Sequence, residues 1–286
     1  MKKIGFIGTG VMGKGMIRSL MKNGFELYIY NRTKERALPL LEEGAVWCDS
    51  PATCAAGRDA VITIVGYPED VEEVYFGQQG ILTGADPGTY LIDMTTTRPD
   101  LSVRIYEEGT RKGFHVLDAP VSGGEGGAAA GTLTIMVGGD REDFEKCRPL
   151  WDAMGSSAVY EGSAGSGQHV KMANQIAIAG TVAGVSEAMA YAMRQGIPAD
   201  RLIGTISGGA AGSWQLANLG PKMAAGDYAP GFFIKHFIKD MGIAVEEAQK
   251  AGLELPVLSQ VLEMYRQMEK EGHGDEGTQG IIQYYR

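Results

Sequence analysis

The sequence is poor in the residues from which metal sites and disulfide frameworks are built. Its 286 residues include three cysteines, and Cys48, Cys54 and Cys147 lack the spacing of metal ligands. Because the set is odd in number and lacks metal-ligand spacing, we expect reduced thiols and a cytoplasmic location. The four histidines are scattered as well: His115, His169, His236 and His273. We therefore predict no metal site.

Positive charge and long apolar runs are also scarce. The 26 lysines and arginines are outnumbered by 35 acidic residues, which gives a net charge of −9. Because nucleic-acid binding needs a concentrated basic surface, we expect no nucleic-acid partner. No apolar run approaches the ~18 to 20 residues of a membrane span, and the chain enters its first strand without a cleavable leader pattern. We therefore expect a soluble protein with no membrane partner.

The first half of the chain alternates between predicted strands and predicted helices. The hydrophobic content of 44% suffices for a packed core, and the 42 glycines cluster in short turn signals. This alternation predicts an α/β fold with a mostly parallel, doubly wound sheet. The predicted strands are Lys3 to Ile7, Glu26 to Tyr30, Ala60 to Val65, Tyr90 to Asp93, His115 to Asp118 and Leu133 to Val137.

The second half has a different pattern. Residues 168–194 contain no proline and many small apolar side chains, which predicts one long helix. The spacing of Ala173, Ala177, Gly180 and Gly184 would let another helix approach closely, and we expect a homodimer or homotetramer. The rest of the chain reads as further helices. We predict a nucleotide-binding domain over residues 1–162 and an all-helical domain over 163–286, which begins with the long interdomain helix.

A glycine fingerprint follows the first predicted strand. Gly8, Gly10 and Gly13 match G-x-G-x-x-G at the start of a helix, which is the arrangement of a Rossmann dinucleotide-binding domain. Gly8 allows the tight turn, Gly10 leaves room for the pyrophosphate, and Gly13 lets the helix pack against the sheet. With Val11 and Met12 between them, these residues form the predicted phosphate-binding turn.

The end of the second strand predicts which coenzyme binds. Enzymes that use NAD usually place Asp or Glu there, whereas this chain has Asn31, Arg32 and Thr33. A guanidinium with two neutral donors suits the 2′-phosphate of NADP better than a ribose hydroxyl, so NADP is favoured and NAD is the less favoured alternative. The other interpretation is a surface arginine that begins a helix with Lys34 and Arg36.

Several polar residues are candidates for chemistry. Lys171, Asn174 and Gln175 share one face of the long helix, which indicates either a buried proton donor or a solvated face with an extended lysine. Loops after the carboxyl ends of the strands line the ligand crevice of such a sheet. Two of the candidates lie there: Thr96 beside the nicotinamide ribose, and a glycine-rich turn whose N–H groups could hold a carboxylate. That turn consists of Ser122, Gly123 and Gly124, and its alternative interpretation is an ordinary surface turn.

Four segments together resemble the β-hydroxyacid dehydrogenases, a family that includes 3-hydroxyisobutyrate dehydrogenase and short semialdehyde reductases. They are GFIGTGVMG, DAPVSGGEGGAAAGTLTIMVGG, GSGQHVKMANQ and HFIKDMGIA. The resemblance implies that Lys171 is the catalytic acid/base, that Asn174 binds substrate and that residues 122–124 bind its carboxylate. It also implies that Lys239, which alone reads as half of a solvated ion pair with Asp240, lies near substrate and nicotinamide.

Two positions depart from the pattern of that family. Tyr67 follows Val65 and Gly66 where members often have a shorter apolar residue before proline, which affects the cofactor side that Val65 is predicted to line. Gln175 stands where many members have a second asparagine, which affects the substrate side.

These observations predict an NADP(H)-dependent oxidoreductase that interconverts a short 3-hydroxy acid, or a related small hydroxy acid, and its semialdehyde. One alternative is an imine reductase, although those enzymes in general lack a lysine at the catalytic position. Another is a regulatory NADP-binding protein that has lost turnover, although such a protein has no need to keep Lys171. A 6-phosphogluconate dehydrogenase would have a much larger C-terminal domain. The choice among short carboxylate substrates depends on the tertiary structure.

Overall fold

The computed structural model describes residues 1–285, which form two compact units. The first unit is Met1–Lys171, and the second consists of the residues from Met172 onward. The first is an α/β unit around one sheet, and the second is helical. The predicted fold class is therefore confirmed.

Within residues 1–285, the sheet of the first unit has nine strands. They are β1 Lys3–Ile7, β2 Glu26–Tyr30, β3 Val46–Trp47, β4 Ala60–Thr63, β5 Tyr90–Asp93, β6 His115–Asp118, β7 Val121–Ser122, β8 Leu133–Gly139 and β9 Gly155–Gly162. Their spatial order is β3-β2-β1-β4-β5-β6-β8-β7, and β9 pairs with β8. The strands from β3 to β6 are mutually parallel, whereas β8 runs antiparallel to β6 and to β7.

All six predicted strands are present, and three others were missed. The end of β4 is Thr63 rather than Val65, and β8 continues to Gly139. The missed strands β3 and β7 have two residues each, too few for an alternation to be recognised. The third, β9, has the sequence GSSAVYEG and contains no fully buried residue, so it lacks the apolar run by which a strand is recognised.

Alternate residues of the central strands β1 and β4 enter two separate apolar cores. In β1, Phe6 belongs to one core and Ile7 to the other, and in β4 the same holds for Ile62 and Val61. A strand that is apolar on both faces must be covered on both, which is the property of a doubly wound sheet. The covering helices are α1 Val11–Lys22, α2 Leu38–Glu42, α3 Pro51–Ala55, α4 Pro68–Phe76, α5 Ile81–Gly84, α6 Pro99–Arg111, α7 Gly124–Ala130, α8 Arg141–Lys146 and α9 Arg148–Met154.

The long predicted helix is α10, Ser166–Arg194, whose first residues belong to the first unit. The later helices are α11 Ala199–Ile206, α12 Trp214–Ala225, α13 Ile234–Lys250 and α14 Pro256–Met268, with helical turns at Glu269–His273 and Thr278–Tyr285. The second unit has its own core, to which Val182 and Met189 of α10 contribute. No atom within residues 1–285 lies within 4 Å of a Cβ added at Gly184, so that part of the predicted small-residue seam is open.

The apolar character of α10 corrects one expectation from the sequence. Its 29 residues include an 18-residue window of mean hydropathy 1.4, which is long and apolar enough to cross a membrane. The expectation that no apolar stretch approaches that length was wrong. One such helix is weak evidence for a membrane span, because a core helix such as α10 has the same composition.

Candidate active site

The three fingerprint glycines have different surroundings. Gly8 has a φ of +105°, and an added Cβ would lie 2.0 Å from the carbonyl oxygen of Ile64. A Cβ at Gly13 would lie 2.0 Å from the carbonyl oxygen of Gly8, whereas one at Gly10 would meet nothing within 4 Å. Gly8 and Gly13 are therefore required by the backbone itself. Gly10 instead leaves open space next to the start of α1.

The N-terminus of α1 is suited to an anion. Gly10 is its N-cap and makes no side-chain capping hydrogen bond, and the first turn contains no acidic residue. Unpaired N–H groups and the positive end of the helix dipole therefore face the open space beside Gly10. Val11 in this turn is exposed, and Met12 packs against the core. These residues fit the pyrophosphate of a dinucleotide.

The predicted 2′-phosphate residues at the end of β2 have distinct partners. The Asn31 amide is used within the loop: its Oδ1 accepts from the Thr9 N–H at 3.0 Å, and its Nδ2 donates to the Thr33 carbonyl at 2.8 Å. The Arg32 side chain is 84% exposed, and its Nη1 lies 2.9 Å from Oδ1 of Asp70. Of the two groups, the Arg32 guanidinium is the one directed outward. Asp70 was not predicted from the sequence.

Val65 and Thr96 are both partly buried, and they follow the neighbouring strands β4 and β5. The Val65 N–H donates to Oγ1 of Thr95 at 3.0 Å, which connects the two loops. Beneath them, Oδ1 of Asp93 accepts from the Thr63 hydroxyl at 2.7 Å and from the Thr95 N–H at 3.1 Å. Burial raises the pKa of Asp93 to about 6. A carboxyl group is thus part of the support for both of these predicted cofactor contacts.

The start of α10 is anchored to the sheet by two side chains that the sequence analysis missed. Asp118, at the end of β6, accepts from the N–H groups of Gly165 at 2.7 Å and of Gln168 at 3.0 Å. The Gln168 side chain donates to the Thr95 carbonyl at 2.8 Å and accepts from the Thr97 N–H at 3.1 Å. These bonds satisfy orphan N–H groups of the helix and fix its first turn on the carboxyl edge of the sheet.

Lys171 lies one turn beyond Gln168 and is buried, with 6% of its surface exposed. Its Nζ donates to the Val121 carbonyl at 2.8 Å, directly before Ser122 in β7. The interpretation of Lys171 as a solvated lysine is therefore wrong. Ser122 is partly buried, and the two glycines after it have φ values of +136° and +61°, a left-handed turn that begins α7. The ammonium group thus reaches the strand that carries the predicted carboxylate turn.

A second polar cluster lies in the helical unit and links α10 to α13. The Asn174 Nδ2 donates to Gln175 Oε1 at 2.8 Å, and the Gln175 Nε2 donates to Asp240 Oδ2 at 2.7 Å. Asp240 Oδ1 lies 3.0 Å from Lys239 Nζ, and these two side chains are only 2% and 11% exposed. The expectation of a solvated Lys239–Asp240 pair was therefore wrong. The preceding Phe232, Phe233 and Phe237 were the signal that this segment is buried.

The Asp240 carboxylate fixes the orientation of both amides in this cluster. A carboxylate only accepts hydrogen bonds, so Gln175 must turn its amino group to Asp240 and its oxygen to Asn174. Asn174 must then turn its amino group to Gln175. This arrangement leaves the Asn174 oxygen and one N–H for another partner. Gln175, which stands where many family members have an asparagine, thus orients the Asn174 amide and is itself oriented by Asp240.

The doubly wound sheet and the anion site at the start of α1 define a dinucleotide-binding protein of the Rossmann class. Two family models extend this class to nearly the whole chain. One, described as the NAD binding domain of 6-phosphogluconate dehydrogenase, matches residues 3–162. The other, described as the NAD-binding of NADP-dependent 3-hydroxyisobutyrate dehydrogenase, matches residues 165–285. Within residues 1–285, no group of three or more His, Cys, Asp or Glu could hold a metal ion.

The chain is similar over its length to several oxidoreductases. It is 51% identical to an uncharacterised oxidoreductase of Bacillus subtilis, with 99% of both chains covered. It is 42% identical to a probable 3-hydroxyisobutyrate dehydrogenase-like protein of Arabidopsis thaliana, with 98% of this chain and 84% of that protein covered. It is 36% identical to an NAD-dependent L-serine dehydrogenase of Pseudomonas aeruginosa, with 96% and 95% covered.

Solved structures agree with these relatives. A 3-hydroxyisobutyrate dehydrogenase of Salmonella typhimurium matches with a TM-score of 0.90 at 30% identity, over 99% of both chains. The Mycobacterium tuberculosis 3-hydroxyisobutyrate dehydrogenase with L-serine matches with a TM-score of 0.91 at 29% identity, over 100% of this chain and 99% of that one. The chain belongs to the β-hydroxyacid dehydrogenase family. It is therefore a hydroxyacid oxidoreductase that uses a nicotinamide cofactor.

Proposed function

We propose that the protein is an NADP(H)-dependent dehydrogenase that interconverts a short 3-hydroxy acid and its semialdehyde, with Lys171 as the general acid/base. The observation that carries this proposal is the buried Lys171, whose Nζ donates to the Val121 carbonyl at 2.8 Å beside Ser122. A buried lysine whose Nζ is held beside the predicted substrate turn can exchange a proton with a substrate oxygen.

The nicotinamide cofactor, when bound, supplies hydride to the aldehyde carbon or accepts it from the alcohol carbon. Lys171 donates a proton from Nζ to the developing alkoxide during reduction. In the oxidative direction the neutral amine of Lys171 takes the proton of the substrate hydroxyl. The Val121 carbonyl holds Nζ in place in both directions, because a carbonyl oxygen accepts a hydrogen bond from the ammonium and also, more weakly, from the neutral amine.

The substrate carboxylate is assigned to the turn of Ser122, Gly123 and Gly124. Gly123 and Gly124 both have positive φ values, and glycine turns of this kind can direct successive N–H groups to one side and bind an anion. The resemblance to the family assigns substrate binding to Asn174, whose amide is fixed by Gln175, and a role toward substrate and nicotinamide to Lys239. Such positioning contributes several kcal/mol to catalysis, on the order of 7 or more in well-aligned cases.

The class of substrate is supported by the names of two relatives. L-serine and 3-hydroxyisobutyrate both carry a hydroxyl on the carbon next but one to the carboxyl carbon. NADP is proposed as the coenzyme because Arg32 offers a guanidinium at the end of β2. The serine dehydrogenase is named as NAD-dependent, and one matched family model is described as NADP-dependent, so coenzyme choice must come from this chain's own residues.

The test of the proposal is Lys171→Ala, assayed with a panel of short semialdehydes at the NADPH absorbance band. We expect nearly unchanged NADPH binding and a kcat lower by about 10² to 10⁴, the usual contribution of general acid catalysis. Lys171→Arg should not restore turnover, because a guanidinium does not give up its proton. Near-normal turnover of Lys171→Ala with the best substrate would refute the mechanism.

Lys112 supplies a matched control. Its Nζ also donates to a backbone carbonyl, that of Leu82, at 3.1 Å, and it lies in the same unit as Lys171. Lys112→Ala removes the same groups and the same charge outside the proposed site. It should leave kcat and KM unchanged. A similar loss of kcat in both variants would mean that Lys171→Ala lowers kcat by destabilising the protein and not by removing the acid/base.

A further inference from the structure

Arg32, the residue on which the choice of NADP rests, already faces a carboxylate. Its Nη1 lies 2.9 Å from Oδ1 of Asp70, which belongs to the first turn of α4, 38 residues further along the chain. The nearby Lys34 is directed toward another group, because its Nζ lies 5.0 Å from the centre of the Trp47 ring. A negative charge is thus present where an NADP enzyme presents only positive and neutral groups.

Asp70 is held in place by its own helix. Its Oδ2 accepts from the Tyr67 N–H at 3.1 Å, which caps the N-terminus of α4. The helix dipole favours a negative charge in this first turn. The side chain of Asp70 is 26% exposed and that of Arg32 is 84% exposed. The carboxylate is therefore the fixed member of the pair, and the guanidinium is the member that can move.

We propose that Asp70 limits the preference for NADP and keeps NAD usable, which makes it a determinant of coenzyme specificity. This inference rests on the proposed function, because it assigns Arg32 to the adenosine ribose. A 2′-phosphate that binds the guanidinium meets the negative charge of Asp70 on the same group. The ribose hydroxyls of NAD carry no charge and can donate to the carboxylate. Asp70 thus disfavours the binding of NADP and favours the binding of NAD.

The expected size of the effect follows from exposure. The pair is open to solvent on the Arg32 side, so salt and water screen the repulsion between phosphate and carboxylate. We expect removal of the Asp70 charge to tighten NADPH binding about threefold to tenfold at low salt. The gain should shrink at an ionic strength of about 1 M, where the screening length falls to about 3 Å.

The experiment is Asp70→Asn, with dissociation constants measured by fluorescence titration of NADPH and NADH and by displacement with adenosine 2′,5′-bisphosphate. Asparagine keeps an oxygen for the Tyr67 N–H, so the start of α4 is preserved. We expect tighter binding of NADPH and of the bisphosphate, with NADH unchanged or weaker. Glu43→Gln is the matched control, because it removes the same charge from another exposed pair, Arg18–Glu43, in the same unit.

The double variant Arg32→Ala, Asp70→Asn separates repulsion from a positioning effect. Direct repulsion predicts that Asp70→Asn still tightens NADPH binding when Arg32 is absent. Weaker NADPH binding by Asp70→Asn would overturn the proposal, because Asp70 would then position Arg32 for the phosphate. Equal changes for NADPH and NADH would also overturn it and would leave the proposed function intact. A wild-type protein that binds neither coenzyme would refute the proposed function itself.

Discussion

Replacement of Asp118 by asparagine is expected to loosen the start of α10 and to misplace Lys171. Asp118 uses its two oxygens for two different N–H groups, those of Gly165 at 2.7 Å and Gln168 at 3.0 Å. Asparagine has a single acceptor oxygen, so one of these N–H groups would face an amino group. The side chain keeps its size, and therefore the change isolates the anchoring bonds.

The expected loss of stability in Asp118→Asn is the balance of two opposing effects. A hydrogen bond to a charged group contributes about 1.5 to 3 kcal/mol, and one such bond is lost. Burial raises the pKa of Asp118, so the buried charge is itself costly and its removal offsets part of the loss. We expect a net destabilisation of about 1 to 2 kcal/mol at pH 7. At ~2 to 4 °C per kcal/mol for a unit of this size, Tm should fall by roughly 2 to 8 °C.

The assay combines thermal unfolding with steady-state kinetics. Lys171 lies three residues beyond Gln168, and a shift of about 1 Å in a catalytic group can cost a hundredfold in rate, so kcat should fall about tenfold to a hundredfold. Asp140→Asn is the control, because Asp140 is exposed and bonded to the Tyr106 hydroxyl in the same unit. Wild-type Tm and wild-type kcat in Asp118→Asn would refute the anchoring role of this carboxylate.

Two further predictions concern the first unit. Gly10→Ala should leave Tm unchanged and weaken NADPH binding at least tenfold, because its Cβ meets only the open space of the phosphate site. Gly13→Ala should lower Tm, because its Cβ would lie 2.0 Å from the Gly8 oxygen. Equal losses of Tm in the two variants would contradict this distinction. Asp93 has a native pKa of about 6 against an ordinary 3.8, so its proton is lost sooner from the unfolded chain. The free energy of unfolding should therefore fall, by on the order of 3 kcal/mol, as pH rises from about 4 to about 6. Denaturant titrations should show a clearly steeper fall of the free energy of unfolding with pH in the wild type than in Asp93→Asn, which keeps the contribution of Asp118.

The elements that the sequence predicted are those whose pattern is local. The predicted strands β1, β2, β4, β5 and β6 are short apolar runs between turn signals, and α10 is a proline-free run of small apolar residues. The missed strand β9 has no such pattern, because its position is set by its pairing with β8 and its side chains are exposed or only partly buried.

Three acidic residues of the candidate site that were missed, or in the case of Asp240 assigned to a solvated ion pair, have partners that are distant in sequence. Asp70 lies 38 residues from Arg32, Asp118 lies 47 residues from Gly165, and Asp240 lies 65 residues from Gln175. A carboxylate on a surface and a carboxylate that anchors a buried group have the same letter in the sequence. Only the chain path brings each of them to its partner.

The sequence by itself determined the glycine fingerprint, the helix that carries Lys171 and the family, because these depend on spacing along a few turns of chain. The tertiary structure decided what is buried and which groups meet. It placed Nζ of Lys171 on the Val121 carbonyl, buried the Lys239–Asp240 pair and set Asp70 beside Arg32. The free energy of a charge depends on its surroundings, and those surroundings are supplied by residues far away in the sequence.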